Sequence, residues 1–224
     1  MALTKVIGEG VGSLGTSSLT HGSDSGDTRF TLNSANQYTM VIKKAGDIAG
    51  QIGGGGADVL RVSNAAGATI MEMNAGQITK PLQPAFLVNK GGTGQDNFSR
   101  NSDVTVTFDT EVYDVGANFA SNTFTAPVTG KYVLHAKVRM SEIDSDATYY
   151  TINIVTSNRL YTSIYDPRGY DQDPVNFSFN ESAVADMDAN DTATVMVYQA
   201  VGTDGHASIS GNSTTTLFGG YLLG

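Results

Sequence analysis

From Pro84 onward, short apolar runs alternate with polar connections rich in Asp and Asn, and no segment carries the i, i+3, i+4, i+7 apolar stripe of a helix. The runs Val104–Phe108, Tyr132–Met140, Tyr149–Val155, Ala193–Val201 and Leu217–Leu223 read as strands. Their regular recurrence predicts an antiparallel sandwich or barrel over residues 84–224, and the chain as a whole as all-β. In Tyr132–Met140, side-chain parity sets Tyr132, Leu134, Ala136, Val138 and Met140 against Val133, His135, Lys137 and Arg139, an apolar face against a wet one. Other strands are apolar on both sides. Val195 and Val197 oppose Met196 and Tyr198; Tyr150, Ile152 and Ile154 oppose Tyr149 and Val155; the last strand carries Phe218 and Tyr221. A strand of an antiparallel sandwich usually leaves one face to water, so these strands call for a second cover. Self-association supplies it, and Tyr149, Val155, Val195, Val197, Tyr198, Phe218 and Tyr221 are the expected contact surface of a homotrimer.

The pattern changes before residue 84. Phe30–Leu32, Tyr38–Ile42, Val59–Val62, Thr69–Met73 and Gln77–Thr79 are short period-2 runs divided by Asn- and Gly-containing turns. Hairpins this short cannot enclose a core in one chain, whereas three copies wound about a common axis can share one. Residues 28–83 are therefore expected to form a trimeric β-stalk, the alternative being a β-layer packed against the second part within one subunit. Residues 8–27 hold only Val11, Leu14 and Leu19 as apolar side chains larger than Ala. So little apolar surface does not offset ordering entropy, so residues 1–27 are read as an arm that anchors the chain to a partner, with a Gly/Ser linker as the alternative.

Composition sharpens this division. Fourteen of the 26 Gly fall within residues 1–80, and all five Pro lie at or after Pro81. Residues 1–80 hold six of the 13 basic and six of the 22 acidic residues, so the net charge of −9 arises wholly from 81–224. That balance argues against nucleic acid, whose phosphates need clustered Lys and Arg. Without Cys, no disulfide, thiol nucleophile or Cys-ligated metal exists. No apolar run is long enough for a membrane helix, and residues 1–12 lack the apolar core of a signal peptide, so that export route is not expected.

Catalytic chemistry finds little support. His21, His135 and His206 show no ligand spacing; no G-x-S-x-G or P-loop occurs; and Gly8-Glu9-Gly10-Val11-Gly12 lacks a strand–helix context. The expectation is a chain that is not an enzyme and holds no cofactor. Carboxylates gather in three loops: Glu142, Asp144 and Asp146; Asp166, Asp171 and Asp173; Asp186, Asp188 and Asp191. Their spacing is compatible with Ca2+ at these loops or at a three-fold axis, against the simpler reading of a solvated acidic surface. The binding candidate is Tyr165, Asp166, Arg168, Tyr170, Asp171 and Asp173, in a loop stiffened by Pro167 and Pro174. Tyr and Arg are favoured at recognition sites and a stiff loop loses less entropy on binding; the alternative is an ordinary connection whose Tyr rings cover the sandwich edge.

Particular landmarks carry a family resemblance. Pro84-Ala85-Phe86 opens the second part; Phe108-Asp109, Val112-Tyr113-Asp114, Gly116 and Asn118 follow; Phe124-Thr125-Ala126-Pro127-Val128-Thr129-Gly130-Lys131-Tyr132 comes next, then Asp188-Ala189-Asn190-Asp191, and Phe218-Gly219-Gly220-Tyr221-Leu222-Leu223 closes. Residues 84–224 thereby resemble the C1q-like globular head, a member of the tumour-necrosis-factor-like jelly rolls. Asn190 stands where the family usually has Gly, and Gly219 where it usually has Ser. The resemblance implies a ten-strand jelly roll, a compact trimer and a binding role without catalysis. No Gly-X-Y tract precedes it; the arm and stalk instead look like those of phage fibres. The resulting expectation is a virion fibre or spike, extracellular after release, attached to other virion proteins through residues 1–27 and meeting a host-surface glycan or protein through its head. A capsid decoration protein and a secreted C1q-like lectin are the alternatives.

Overall fold

The computed structural model describes residues 39–44, 47–54, 59–74, 76–202 and 206–223. The expected arm over 1–27 and the strand Phe30–Leu32 lie outside the described residues. The first five strands, β1 (Thr39–Lys44), β2 (Asp47–Gly54), β3 (Val59–Ser63), β4 (Thr69–Asn74) and β5 (Gln77–Thr79), form one antiparallel meander in sequence order. Asn64 fixes one of its turns: its carbonyl accepts from Gly67 and its side chain from Ala68, with Gly67 at φ +81° supplying the left-handed step.

The remaining strands are β6 (Ala85–Asn89), β7 (Val104–Thr105), β8 (Thr110–Asp114), β9 (Phe119–Ala120), β10 (Thr123–Thr125), β11 (Gly130–Ser141), β12 (Tyr149–Thr156), β13 (Leu160–Tyr165), β14 (Asn176–Met187), β15 (Thr192–Ala200), β16 (Ser208–Ile209) and β17 (Leu217–Leu222). They build two six-stranded sheets, β14-β11-β17-β6-β8 with β16 against β11, and β13-β12-β15-β10-β9 with β7 against β15. The chain crosses from one sheet to the other between β6 and β7, β7 and β8, β8 and β9, β10 and β11, β11 and β12, β13 and β14, β14 and β15, and β15 and β16. This is the jelly-roll order. The one helical element among the described residues is a 3-10 turn, Pro167–Gly169, and no helix there is long and apolar enough to cross a membrane.

Alternation decides which side chains fill the sandwich. In β11 Tyr132, Leu134, Ala136, Val138 and Met140 are buried, as expected. The facing sheet contributes Tyr150, Ile152, Ile154, Val195 and Val197, none of which keeps any solvent exposure. Phe86, Phe124 and Phe218 join them, with Phe86 stacked on Phe124 at 4.5 Å and edge-on to Phe218 at 5.0 Å. Val195, Val197 and Phe218 were expected at a subunit contact; the structure corrects this, because each points into its own sandwich at 0% exposure and cannot reach a second molecule. Tyr149, Val155 and Tyr198 lie on the outward side of their sheet and stay half-buried, while Tyr221 is 46% exposed.

Asn190 and Gly219 each have a local explanation. Asn190 adopts φ +76° in the turn closed by Asp191 N–H to the Asp188 carbonyl at 3.0 Å, a left-handed conformation that Asn tolerates better than most residues. Gly219 faces outward on β17 beneath His135 and Leu87, where a Cβ would meet Cε1 of His135 and Cδ1 of Leu87 at 3.1 Å each.

Candidate functional site

The loop after β13 is built from its own charges. Asp166 caps the 3-10 turn by accepting from the Arg168 N–H at 3.0 Å, and its carboxylate takes Arg168 Nε at 2.9 Å and Nη2 at 2.6 Å. The Arg168 side chain, then its backbone N–H, holds the Asp166 carboxyl at about 2, well below the usual range. Both side chains are exposed, so this pair shapes the loop more than it stabilises the fold. Asp173 turns away and accepts from Ser145 Oγ and from the Ser145 N–H, which lowers its carboxyl as well.

Tyr165 points inward. Its ring stacks on Phe177 at 4.3 Å and stands edge-on to Phe179 at 5.5 Å, so it closes the sandwich edge. Burial first, and then the neighbouring Tyr170, pushes its phenol far up. The structure thus joins Asp166 to Arg168 and Asp173 to the Ser145 loop, gives Tyr165 to the core edge, and leaves Tyr170, 49% exposed, and Asp171 on the surface.

The other carboxylates are used locally. Glu142 accepts from Ser208 Oγ at 2.9 Å, Asp144 from the Asp146 N–H at 2.8 Å, and Asp191 from Asn158 Nδ2 at 2.6 Å and the Asp188 N–H at 2.8 Å. Among the described residues no three His, Asp or Glu side chains converge as an ion would require.

A second surface is the outward face of the β14-β11-β17-β6-β8 sheet. Register sets Val184, Val133, Tyr221 and Ala85 in one row across four strands, and Ser182, His135, Gly219, Leu87 and Tyr113 in the next. Val184 and Tyr113 are exposed along with Tyr221. The far end is polar: Lys137 lies opposite Asn180, and Arg139 donates to the Asn176 Oδ1 at 2.6 Å. Sequence parity placed Val133 on a wet face and passed over Val184. Their joining into an apolar row with Tyr221 is a property of strand order, which parity within one strand does not carry.

No family model matches the chain, and no curated protein matches it. Solved structures do. The globular domain of zebrafish complement 1qA protein is 17% identical, with 63% of this chain and 98% of that chain covered at a TM-score of 0.44. Murine APRIL at pH 8.0 is 14% identical, covering 63% of this chain and 99% of that chain at a TM-score of 0.45. The strand order, and not these likenesses, assigns the fold. From Pro84 onward the described residues form an antiparallel jelly roll of two sheets.

Proposed function

We propose that this chain is a homotrimeric virion fibre or spike protein, held to the particle through residues 1–27, projected by residues 28–83, and meeting a host-surface receptor through its jelly-roll head. The observation that carries the reading is the bare apolar face of the first sheet. Register puts Ile52, Val62 and Met71 in one cross-strand row and Leu60, Met73 and Ile78 in the next, all on one side. The opposite side bears the Arg61–Glu72 ion pair at 2.6 Å. Leu60 and Ile78 remain 42% and 65% exposed, in a sheet of a single layer. One-layered sheets with a dry side do not persist in water, and three copies closing around an axis cover all three faces at once. The Val184–Val133–Tyr221 row of the head supports the same assembly from a separate surface.

A narrow, projecting trimer ending in a rigid knob suits presentation at a distance from a surface, and the exposed Tyr170, Asp171 and Arg168 lie on a loop clear of the apolar row. Native mass spectrometry of the full chain is expected to give three times the 23.5 kDa subunit mass; a stable monomer overturns the assembly. Labelled protein is expected to bind the cells that its parent particle infects and to lose that binding when 166–174 are deleted. Unchanged adsorption together with a less stable particle would mark a capsid-cementing role instead.

A further inference from the structure

On one side of the head the two sheets close over each other, where the Ser163 hydroxyl of β13 donates to the Glu181 carboxylate of β14. The opposite side stays open. There β8 and β9 are the edge strands of different sheets, and a groove of about 500 Å³ lies between them. That volume is within the range of small-molecule sites.

The chain builds this groove with some care. Its floor is Phe108 and Phe119, half-buried members of the phenyl cluster that also holds Phe86 and Phe218. Successive left-handed residues, Ser121 at φ +50° and Asn122 at φ +63°, form the tight turn between β9 and β10 and set Ser121 at the mouth. Asn122 Oδ1 accepts from the Phe108 N–H at 2.8 Å, which ties the floor to that turn. A register shift in β6 between Leu87 and Val88 places Glu111 opposite the buried Val88, on the inward side of β8. The rim is therefore Asp109, Thr110, Glu111 and Ser121.

We propose that this groove is a saccharide site, taking the apolar face of a neutral pyranose against Phe108 and Phe119 while Glu111, Asp109, Thr110 and Ser121 bind its hydroxyls. Sugars present C–H faces that pack on aromatic rings and hydroxyls that donate well to carboxylates. Lys90 is buried and its ammonium donates to the lining Thr107 Oγ1 at 2.7 Å, which sets one positive charge beside the two rim carboxylates. That balance favours a neutral ring over an organic cation, and Glu111 disfavours acidic sugars. The proposal deepens the receptor-binding reading of the head and moves the contact away from the 165–174 loop.

The test is saturation-transfer NMR and titration of the full chain with glucose, galactose, mannose, N-acetylglucosamine, N-acetylneuraminic acid and choline. Saturation of ring protons of one or more of the four neutral sugars is expected, with neither N-acetylneuraminic acid nor choline bound. Glu111→Ala is expected to weaken binding about tenfold, the loss of one charge-assisted hydrogen bond, and Ser121→Ala about threefold, each with an unchanged thermal transition. Absence of binding by any neutral sugar, binding of choline instead, or full affinity in both variants overturns the site. Host-cell binding without sugar binding would sink the groove and leave the receptor reading standing. Sugar binding that does not compete with host cells would do the reverse.

Discussion

Gly220 lies opposite Leu134 across the β17–β11 ladder, so close that a Cβ at position 220 would come within 2.7 Å of both Leu134 Cδ2 and the Val133 carbonyl. Phe86 Cε1 bounds the same space at 3.1 Å. A side chain there would press on backbone as well as on a packed leucine. Gly220→Ala is expected to destabilise the head by about 1–3 kcal/mol, the usual range for overpacking, read as a lowered urea midpoint at unchanged slope. Gly219→Ser, whose Cβ would meet its neighbours at 3.0–3.1 Å on the outward face, is expected to cost less.

Tyr150 is fully buried and its hydroxyl accepts from the Asp144 N–H at 2.9 Å. Burial, above all, pushes its phenol up to about 12. The folded protein therefore disfavours the phenolate, so stability is full below about pH 10, the unfolded value, and falls as pH rises from there towards 12. Tyr150→Phe is expected to cost about 1–2 kcal/mol at neutral pH, since it leaves a buried N–H unpaired, and to soften the alkaline decline. Denaturation midpoints between pH 8 and 11 check both effects.

His135 gives an acidic counterpart. His135 lies exposed on the outward sheet face, and partial desolvation there lowers its pKa, so the unfolded chain takes up a proton before the folded one does and stability declines slightly as pH falls below about 6.5. His135→Gln is expected to flatten the stability profile between pH 7 and 5. Asp166 acts in a different window: its carboxyl is depressed to about 2 by Arg168, so its contribution is present above pH 4 and is lost as pH drops from there to 2. Asp166→Asn should leave the pH 5–7 limb untouched.

How far the fold could be read in advance depended on side-chain size. Tyr132–Met140 is marked by apolar residues at alternate positions and Leu217–Leu223 by large apolar residues on both sides, and both are strands of the head. β14 is as long as β11, twelve residues, yet it did not stand out among the clearest runs. Its inward positions include Ala183 and Ala185, and its outward ones Ser178, Asn180 and Ser182, so a hydropathy reading sees a polar segment. The loop over 165–174 is a loop, and the alternative in which its Tyr rings cover the sandwich edge holds for Tyr165, which lies against Phe177 because β13 and β14 are neighbouring edges. The doubly apolar β15 follows the expected parity but not the expected contact for Val195 and Val197, which fill the subunit's own core, while Met196 and Tyr198 lie with Thr194 on the outward side.

That last distinction yields a pair of variants with opposite signatures. Tyr221 is exposed at the end of β17, in line with Val133 and Val184, whereas Val197 lies wholly inside. Placing a carboxylate in an apolar contact leaves a desolvated charge without a partner. Tyr221→Asp is therefore expected to shift the full chain towards monomer in sedimentation while leaving the subunit's β-sheet circular dichroism intact. Val197→Ala is expected to do the opposite: it opens a cavity within one sandwich, costs about 2 kcal/mol in unfolding free energy, and keeps the assembly unchanged wherever the subunit is folded. If Tyr221→Asp sediments as the wild type does, the Val184–Val133–Tyr221 row is not a subunit contact, and the bare face of the first sheet alone must hold the copies together.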